Sequence, residues 1–255
     1  MGTWQTFDVG PEKYSPLREV LSVLHQSGAR LIDSSPMYGR SEQAVGDTTG
    51  SLPFVNDLFY ATKVWTTGER EGIAQMEASM EKMGRKTMDL IQVHNLVDLR
   101  THLKTLRRWK DEGKVRYIGI THYVDDAHEE LERVLRAEPL DFVQFNYSIL
   151  SRNAEKRLLP AAAERGVATL INEPFDKGKL FKKIAGLSLP SWAKETGIAT
   201  WSDYFVRYIL AHPAVTCLIP ATSNALHMKD NCAAGTGSLP DENMRTKMIS
   251  FIESL

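Results

Sequence analysis

Seven short, nearly continuous apolar runs punctuate the chain: LIDS at 31–34, LFYATKV at 58–64, MDLIQVH at 88–94, RYIGITH at 116–122, DFVQFNY at 141–147, VATLIN at 167–172 and TCLIP at 216–220. Strands that alternate apolar and polar residues face water on one side. Runs that are apolar throughout belong to a parallel sheet buried on both faces. Between the runs the period changes from two to 3.6. Leu17, Val20, Leu21 and Leu24 form the stripe of an amphipathic helix that stops at Gly28. Leu103, Leu106 and Trp109 form another, ending at Gly113, and Leu131, Val134 and Leu135 a third, ending before Pro139.

Strand and helix signals therefore alternate at roughly 25–30 residues, with one longer gap before the last strand. A short strand at 2–6 brings the number to eight. Eight β-then-α units within 255 residues predict a (β/α)8 barrel, one domain spanning 1–255 with a shortened first strand. A doubly wound open sheet is the competitor, but no GxGxxG follows any of the runs. Residues 173–200, with FDKGKLFKKIAGLSLPSW, predict a long basic-aromatic connection, and loops of that length are usually functional.

Composition narrows the function classes. A net charge of −1 leaves no basic footprint for nucleic acid. No apolar run approaches the roughly 20 residues that span a bilayer. Cys217 and Cys232 have no metal-type spacing and suggest no disulfide framework. The first residues show no charged segment followed by an apolar one. MGTWQT matches a loose myristoylation pattern, which short sequences meet by chance. The expectation is a cytoplasmic protein without membrane or nucleic-acid partners; the sequence leaves the oligomeric state open.

In a barrel of this type the chemistry lies at the C-terminal ends of the strands. Asp33 closes the second strand, Tyr38 follows in its loop, Lys63 ends the third strand, and His94 closes the fourth. Each alone is more often structural. Complementary groups on three successive strands, aimed at one mouth, point to proton donation to an alkoxide. A phenol with a pKa of about 10 holds its proton at neutral pH. A neighbouring ammonium eases its release, a carboxylate anchors the ammonium, and a histidine orients a carbonyl.

The chain resembles an aldo-keto reductase over essentially its whole length. The resemblance is carried, in family order, by ARLIDSSPMYGRSEQAVG, ATKVW, DLIQVHN, EGKVRYIGITHY, DFVQFNYSIL and HPAVTCLIPATSNALHMKDN. It implies a barrel that reduces small carbonyl compounds with a nicotinamide cofactor, usually NADPH with NADH possible, and without metal or flavin. Asp33, Tyr38, Lys63 and His94 would take the four catalytic positions, Asp33 also lying against the cofactor. Thr3 and Trp4 would lie beside cofactor and substrate. Gln144 would bind the nicotinamide carboxamide, with Thr121 and His122 where the family usually has Ser-Asn. Pro174 and Phe175 would clasp the pyrophosphate, and Thr222, His227 and Asn231 the adenosine end, where a helix N-terminus suits phosphate. Trp4 and Trp65, with Tyr123 or Phe175, would line a substrate mouth suited to apolar or aromatic carbonyls.

Three departures from the family follow. The first strand is short, predicting a thin seam in the barrel. Ser223 stands before Asn224 where relatives often carry an Arg for the 2′-phosphate, and Lys229 is the nearby cation. Glu173 and Asp176 enter a loop expected to meet an anion, offset by Lys177 and Lys179. Two other function classes fit parts of the pattern: a barrel enzyme using Lys63 as a Schiff-base nucleophile, and a cofactor-sensing protein with little turnover.

Overall fold

The computed structural model describes residues 1–255. Seven parallel strands lie in sequence order: β1 Leu31–Asp33, β2 Phe59–Val64, β3 Met88–His94, β4 Val115–Thr121, β5 Phe142–Asn146, β6 Ala168–Asn172 and β7 Cys217–Leu218. Each apolar run forms the strand expected of it: 88–94 matches end to end, 116–122 is shifted by one residue to Val115–Thr121, and the other five lose one to three residues at their ends.

The predicted strand at 2–6 is shorter than expected. Gly2 alone bridges in parallel to Asp33 on one side and Ala221 on the other. The Asp33 N–H donates to the Met1 carbonyl (2.8 Å), the Thr3 N–H to the Asp33 carbonyl (3.1 Å) and the Gly2 N–H to Pro220 (3.2 Å). Residues 1–3 thus fill the eighth position and join the two edges. The ladder ends there because the Thr3 carbonyl takes the N–H of both Thr6 and Phe7, bending the chain at Gln5, whose φ is 61°. A Cβ on Gly2 would sit 3.0 Å from the Ile219 carbonyl oxygen, so the seam is tight enough to favour glycine.

The helices are α1 Tyr14–Gln26, α2 Ser41–Thr49, α3 Glu69–Lys82, α4 Leu99–Asp111, α5 His128–Ala137, α6 Leu158–Arg165, α7 Lys179–Lys183, α8 Ser191–Glu195, α9 Trp201–Leu210, α10 Ala225–Ala233 and α11 Glu242–Glu253. The predicted stripes are the buried faces: Leu17, Val20, Leu21 and Leu24 on α1, and Leu103, Leu106 and Trp109 on α4. Three helices begin at side-chain caps. Thr200 accepts from the Asp203 N–H, Asn224 from those of Leu226 and His227, and Asp241 from that of Met244. The connection after β6 is less irregular than expected, since one 3-10 turn at Asp176–Gly178 and the short helices α7 and α8 occupy much of it.

Period-two alternation divides the strand residues into two layers. Ile32, Tyr60, Val64, Ile91, Val93, Ile118, Ile120, Val143, Phe145 and Ile171 join the main core of 49 buried residues between sheet and helices. Inside the barrel a separate apolar plug of Ala61, Leu90, Leu170 and Ile219 packs on Leu31, Phe59, Tyr117, Phe142 and Cys217. Two residues further along the same inward rows the side chains turn polar: Asp33, Lys63, Gln92 and Gln144. The plug seals the N-terminal end, and the polar groups stand on top of it.

Candidate active site at the C-terminal mouth

β1 ends at Asp33, and Ser34, Ser35 and Pro36 make the turn. The Tyr38 N–H donates to the Ser35 carbonyl (3.0 Å) and the Ser41 N–H to the Tyr38 carbonyl (3.0 Å), so Tyr38 is pinned between β1 and α2. Lys63 is fully buried on β2. Its Nζ donates to Asp33 Oδ2 at 2.6 Å and to the Ser34 carbonyl at 2.7 Å. Nζ also lies 5.2 Å from the centre of the Tyr38 ring. His94, at the end of β3, meets Tyr38 edge to face with ring centres 6.2 Å apart, and Ser35 Oγ lies 3.5 Å from its Nδ1. The four residues singled out from the sequence converge.

The second carboxylate oxygen of Asp33 is equally committed. Gln92 Nε2 and Gln144 Nε2 donate to Oδ1 at 3.2 and 3.1 Å. Gln144 Oε1 in turn accepts from Thr121 Oγ1 at 2.9 Å. The Asp33 carboxylate is therefore fixed from three strands besides its own. Gln92 escaped the sequence reading, although a polar residue in an apolar run, two positions before His94, shares its inward row.

The charges follow from burial. Desolvation acts to lower the Lys63 ammonium, but the Asp33 carboxylate and Tyr38 outweigh it and hold its pKa above the ordinary value. His94 is pushed down to about 3, by burial first and by Lys63 and His122 after it, so its imidazole is neutral. Tyr38 departs from expectation. Lys63 pulls its pKa down, but burial is the larger effect and the Asp33 and Glu173 carboxylates add to it, so the phenol sits above the ordinary value. A neighbouring ammonium was expected to ease proton release; desolvation of the anionic form opposes it.

Thr3 is buried, donating to the Asp33 carbonyl at 3.0 Å and Ser34 Oγ at 2.9 Å, whereas Trp4 and Trp65 are exposed on the rim. His122 stacks on Tyr123 with ring centres 5.4 Å apart, and Asn172 Nδ2 holds its carbonyl at 3.1 Å. Pro174 is buried at the start of the loop after β6. In that loop Lys177 pairs with Glu173 (3.2 Å) and Lys179 with Asp176 (3.4 Å), the offset anticipated from the sequence.

Phe175, Thr222, His227 and Asn231 share one cavity of about 370 Å³ with Phe181, Trp201, Ser202 and Asp230. Asn231 accepts from Ser202 Oγ at 2.5 Å. No Lys or Arg lines this cavity, and Lys229 is exposed outside it. The N-terminus of α10 is partly spent, because Asn224 takes two of its free N–H groups.

Comparison with known proteins bears on the family and the fold. Residues 1–248 match the model of the Aldo/keto reductase family. The chain is 26% identical over 202 residues to the aldo-keto reductase YhdN of Bacillus subtilis (strain 168), covering 72% of this chain and 60% of that one. It is 27% identical over 227 residues to the NADH-specific methylglyoxal reductase of Escherichia coli (strain K12), covering 76% and 68%. Its fold matches that of an aldo-keto reductase from Klebsiella pneumoniae solved in complex with NADPH, with a TM-score of 0.84 at 20% identity over 99% of this chain and 89% of that one. With the match running through every strand of the barrel, from residue 1 to residue 248, the chain belongs to the Aldo/keto reductase family.

Proposed function

We propose that the protein is an NAD(P)H-dependent carbonyl reductase in which Tyr38 gives its proton to the oxygen of an aldehyde or ketone. The observation that carries this reading is the convergence of Tyr38, Lys63, Asp33 and His94 at one end of the barrel. Tyr38 keeps its proton at neutral pH as any ordinary phenol does, and burial disfavours the phenolate further. As that proton moves to the developing alkoxide, the Lys63 ammonium, 5.2 Å from the ring centre, stabilises the phenolate left behind. Asp33, held by Gln92 and Gln144, keeps Lys63 charged and in place. Neutral His94 offers a ring N–H to the substrate oxygen and orients it.

The residues present fit a nicotinamide dinucleotide, which when bound supplies the hydride. Gln144 has a second Nε2 hydrogen beyond the one given to Asp33, available to a carboxamide oxygen. Thr3, Trp4, Thr121 and His122 would contribute around the same mouth. Pro174 and Phe175 would border the pyrophosphate, and the 370 Å³ cavity with Thr222, His227 and Asn231 suits the adenosine end. NADPH is the proposed cofactor with NADH as its alternative, supported by a solved relative that carries NADPH and a curated relative named NADH-specific. Trp4 and Trp65 would form the walls of a mouth for apolar or aromatic carbonyls.

A Schiff base on Lys63 fits less well, because two acceptors already hold the amine as an ammonium, which has no lone pair to attack with. Titration with NADPH and with NADH, read by tryptophan quenching, tests the proposal. Saturable quenching together with turnover of an aldehyde is expected. Absence of both, for either cofactor, would leave only shared ancestry.

A further inference from the structure

The strand that delivers Lys63 stops at Val64, yet the extended chain continues for one more residue because a side chain substitutes for a neighbouring strand. In a parallel sheet the N–H and C=O of one residue turn to the same neighbour, and successive residues alternate between neighbours. On β2 the odd residues face β1: the Phe59 N–H donates to the Arg30 carbonyl, and the Ser34 N–H to the Ala61 carbonyl. Trp65 has the same parity, but beyond Asp33 the β1 chain has turned off toward Tyr38. Gln75, half-buried on α3, takes the vacated place. The Trp65 N–H donates to Gln75 Oε1 at 2.6 Å, and Gln75 Nε2 donates to the Trp65 carbonyl at 3.1 Å.

The following residues are held as firmly. Fully buried His102 on α4 donates from Nε2 to the Thr66 carbonyl at 2.7 Å, and the Gly68 N–H donates to Asp98 Oδ2 at 2.8 Å. His102 reaches the loop only because α3 carries Gly72 where it passes; a Cβ there would lie 2.5 Å from His102 Cε1. Trp65 itself is 41% exposed, so little side-chain packing fixes it. Trp65 shares the parity of Lys63, so its side chain leaves the chain on the inward side, toward the mouth.

We propose that Gln75 is a positioning residue that preforms the Trp65 wall and thereby sets affinity for aromatic carbonyl substrates. This rests on the reading of Trp65 as part of the substrate mouth. A wall fixed before substrate arrives spares the ordering entropy that a mobile loop loses on binding, so the effect falls on KM rather than kcat. Small aliphatic carbonyls, too short to cover the indole, are indifferent to it.

The test compares wild type, Trp65→Ala, Gln75→Leu and Gln75→Glu with 4-nitrobenzaldehyde and with propanal, and follows amide hydrogen exchange at Trp65. Gln75→Glu keeps an acceptor but sets a carboxylate against the Trp65 carbonyl, and it guards against a folding defect peculiar to the leucine. Trp65→Ala and both Gln75 variants are expected to raise KM for the aromatic aldehyde about fivefold or more. For the two Gln75 variants kcat stays within about twofold, and kcat/KM for propanal is unchanged. The Trp65 amide exchanges about tenfold faster or more in the Gln75 variants. If Trp65→Ala raises the aromatic KM while neither Gln75 variant does, and exchange at Trp65 stays slow, the clamp is idle and the inference is overturned. If Trp65→Ala leaves the aromatic KM untouched, the reading of the mouth is what failed, and the inference goes with it.

Discussion

Lys63 Nζ lies 2.6 Å from Asp33 Oδ2 with the lysine fully buried and the aspartate 2% exposed. A desolvated ion pair is weak evidence of stability for its own sake, because taking both charges out of water offsets most of their attraction. It is better explained as a fixed positive charge set beneath Tyr38. The donors from Gln92 and Gln144 fit that explanation, since they leave Asp33 no freedom to follow another partner.

Removing one member of the pair leaves the other charge buried without compensation. Asp33→Asn is expected to lower unfolding stability by about 3–5 kcal/mol, with the Ser34 carbonyl the remaining fixed acceptor for Lys63. Urea denaturation of the two proteins at pH 7 measures this. A loss below about 1 kcal/mol would mean that water reaches Lys63.

His94 links stability to acid. Its ordinary pKa of 6.5 falls to about 3 in the folded protein. Above pH 6.5 both folded and unfolded forms are neutral there and the group contributes nothing. As pH falls from 6.5 toward 3 only the unfolded chain takes the proton, so stability declines by up to about 1.4 kcal/mol per pH unit. His94→Gln is expected to lose about 2 kcal/mol less than wild type between pH 7 and pH 5, read from urea midpoints.

The same charge states predict the reduction rate. His94 stays neutral, while Tyr38 and Lys63 keep their protons past their ordinary values. The kcat for aldehyde reduction is therefore expected to be level from about pH 6.5 to 9, falling only as the pH passes the raised phenol value. An inflection near pH 7 would point to a proton donor other than Tyr38.

If the adenosine end occupies the cavity beside α10, as proposed, cofactor choice turns on its lining. With no Lys or Arg in its lining, a 2′-phosphate lacks the charge-assisted bidentate contact that contributes about 1.5–3 kcal/mol. NADPH and NADH are expected to bind within about tenfold of each other. Ser223→Arg, at an exposed position beside Thr222, is expected to improve NADPH binding by about tenfold and leave NADH unchanged, measured by fluorescence titration.

The strands were legible because burial on both faces leaves apolar runs with no polar alternation, as at residues 88–94 and 167–172. The seam was not. GTWQT has strand-forming residues, and nothing in them says that the Thr3 carbonyl will capture two N–H groups and end the ladder at Gly2. Asp33, Tyr38, Lys63 and His94 could be found because each stands at or just past a strand end. Gln92 was within reach of the same parity argument. Gln75 was not, since its partner lies ten residues away across a loop, and only the turning away of β1 creates the vacancy it fills. The direction of the Tyr38 shift also escaped, because a sequence names the neighbouring charges and not the depth at which they lie.

The most direct measurement is the turnover of 4-nitrobenzaldehyde by wild type and Tyr38→Phe, with NADPH affinity measured on both proteins. The account predicts a fall in kcat of about 10²–10⁴-fold in the variant with cofactor affinity unchanged, because only the transferable proton is lost. An equal kcat in the two proteins, or no turnover by wild type despite tight NADPH binding, would contradict it.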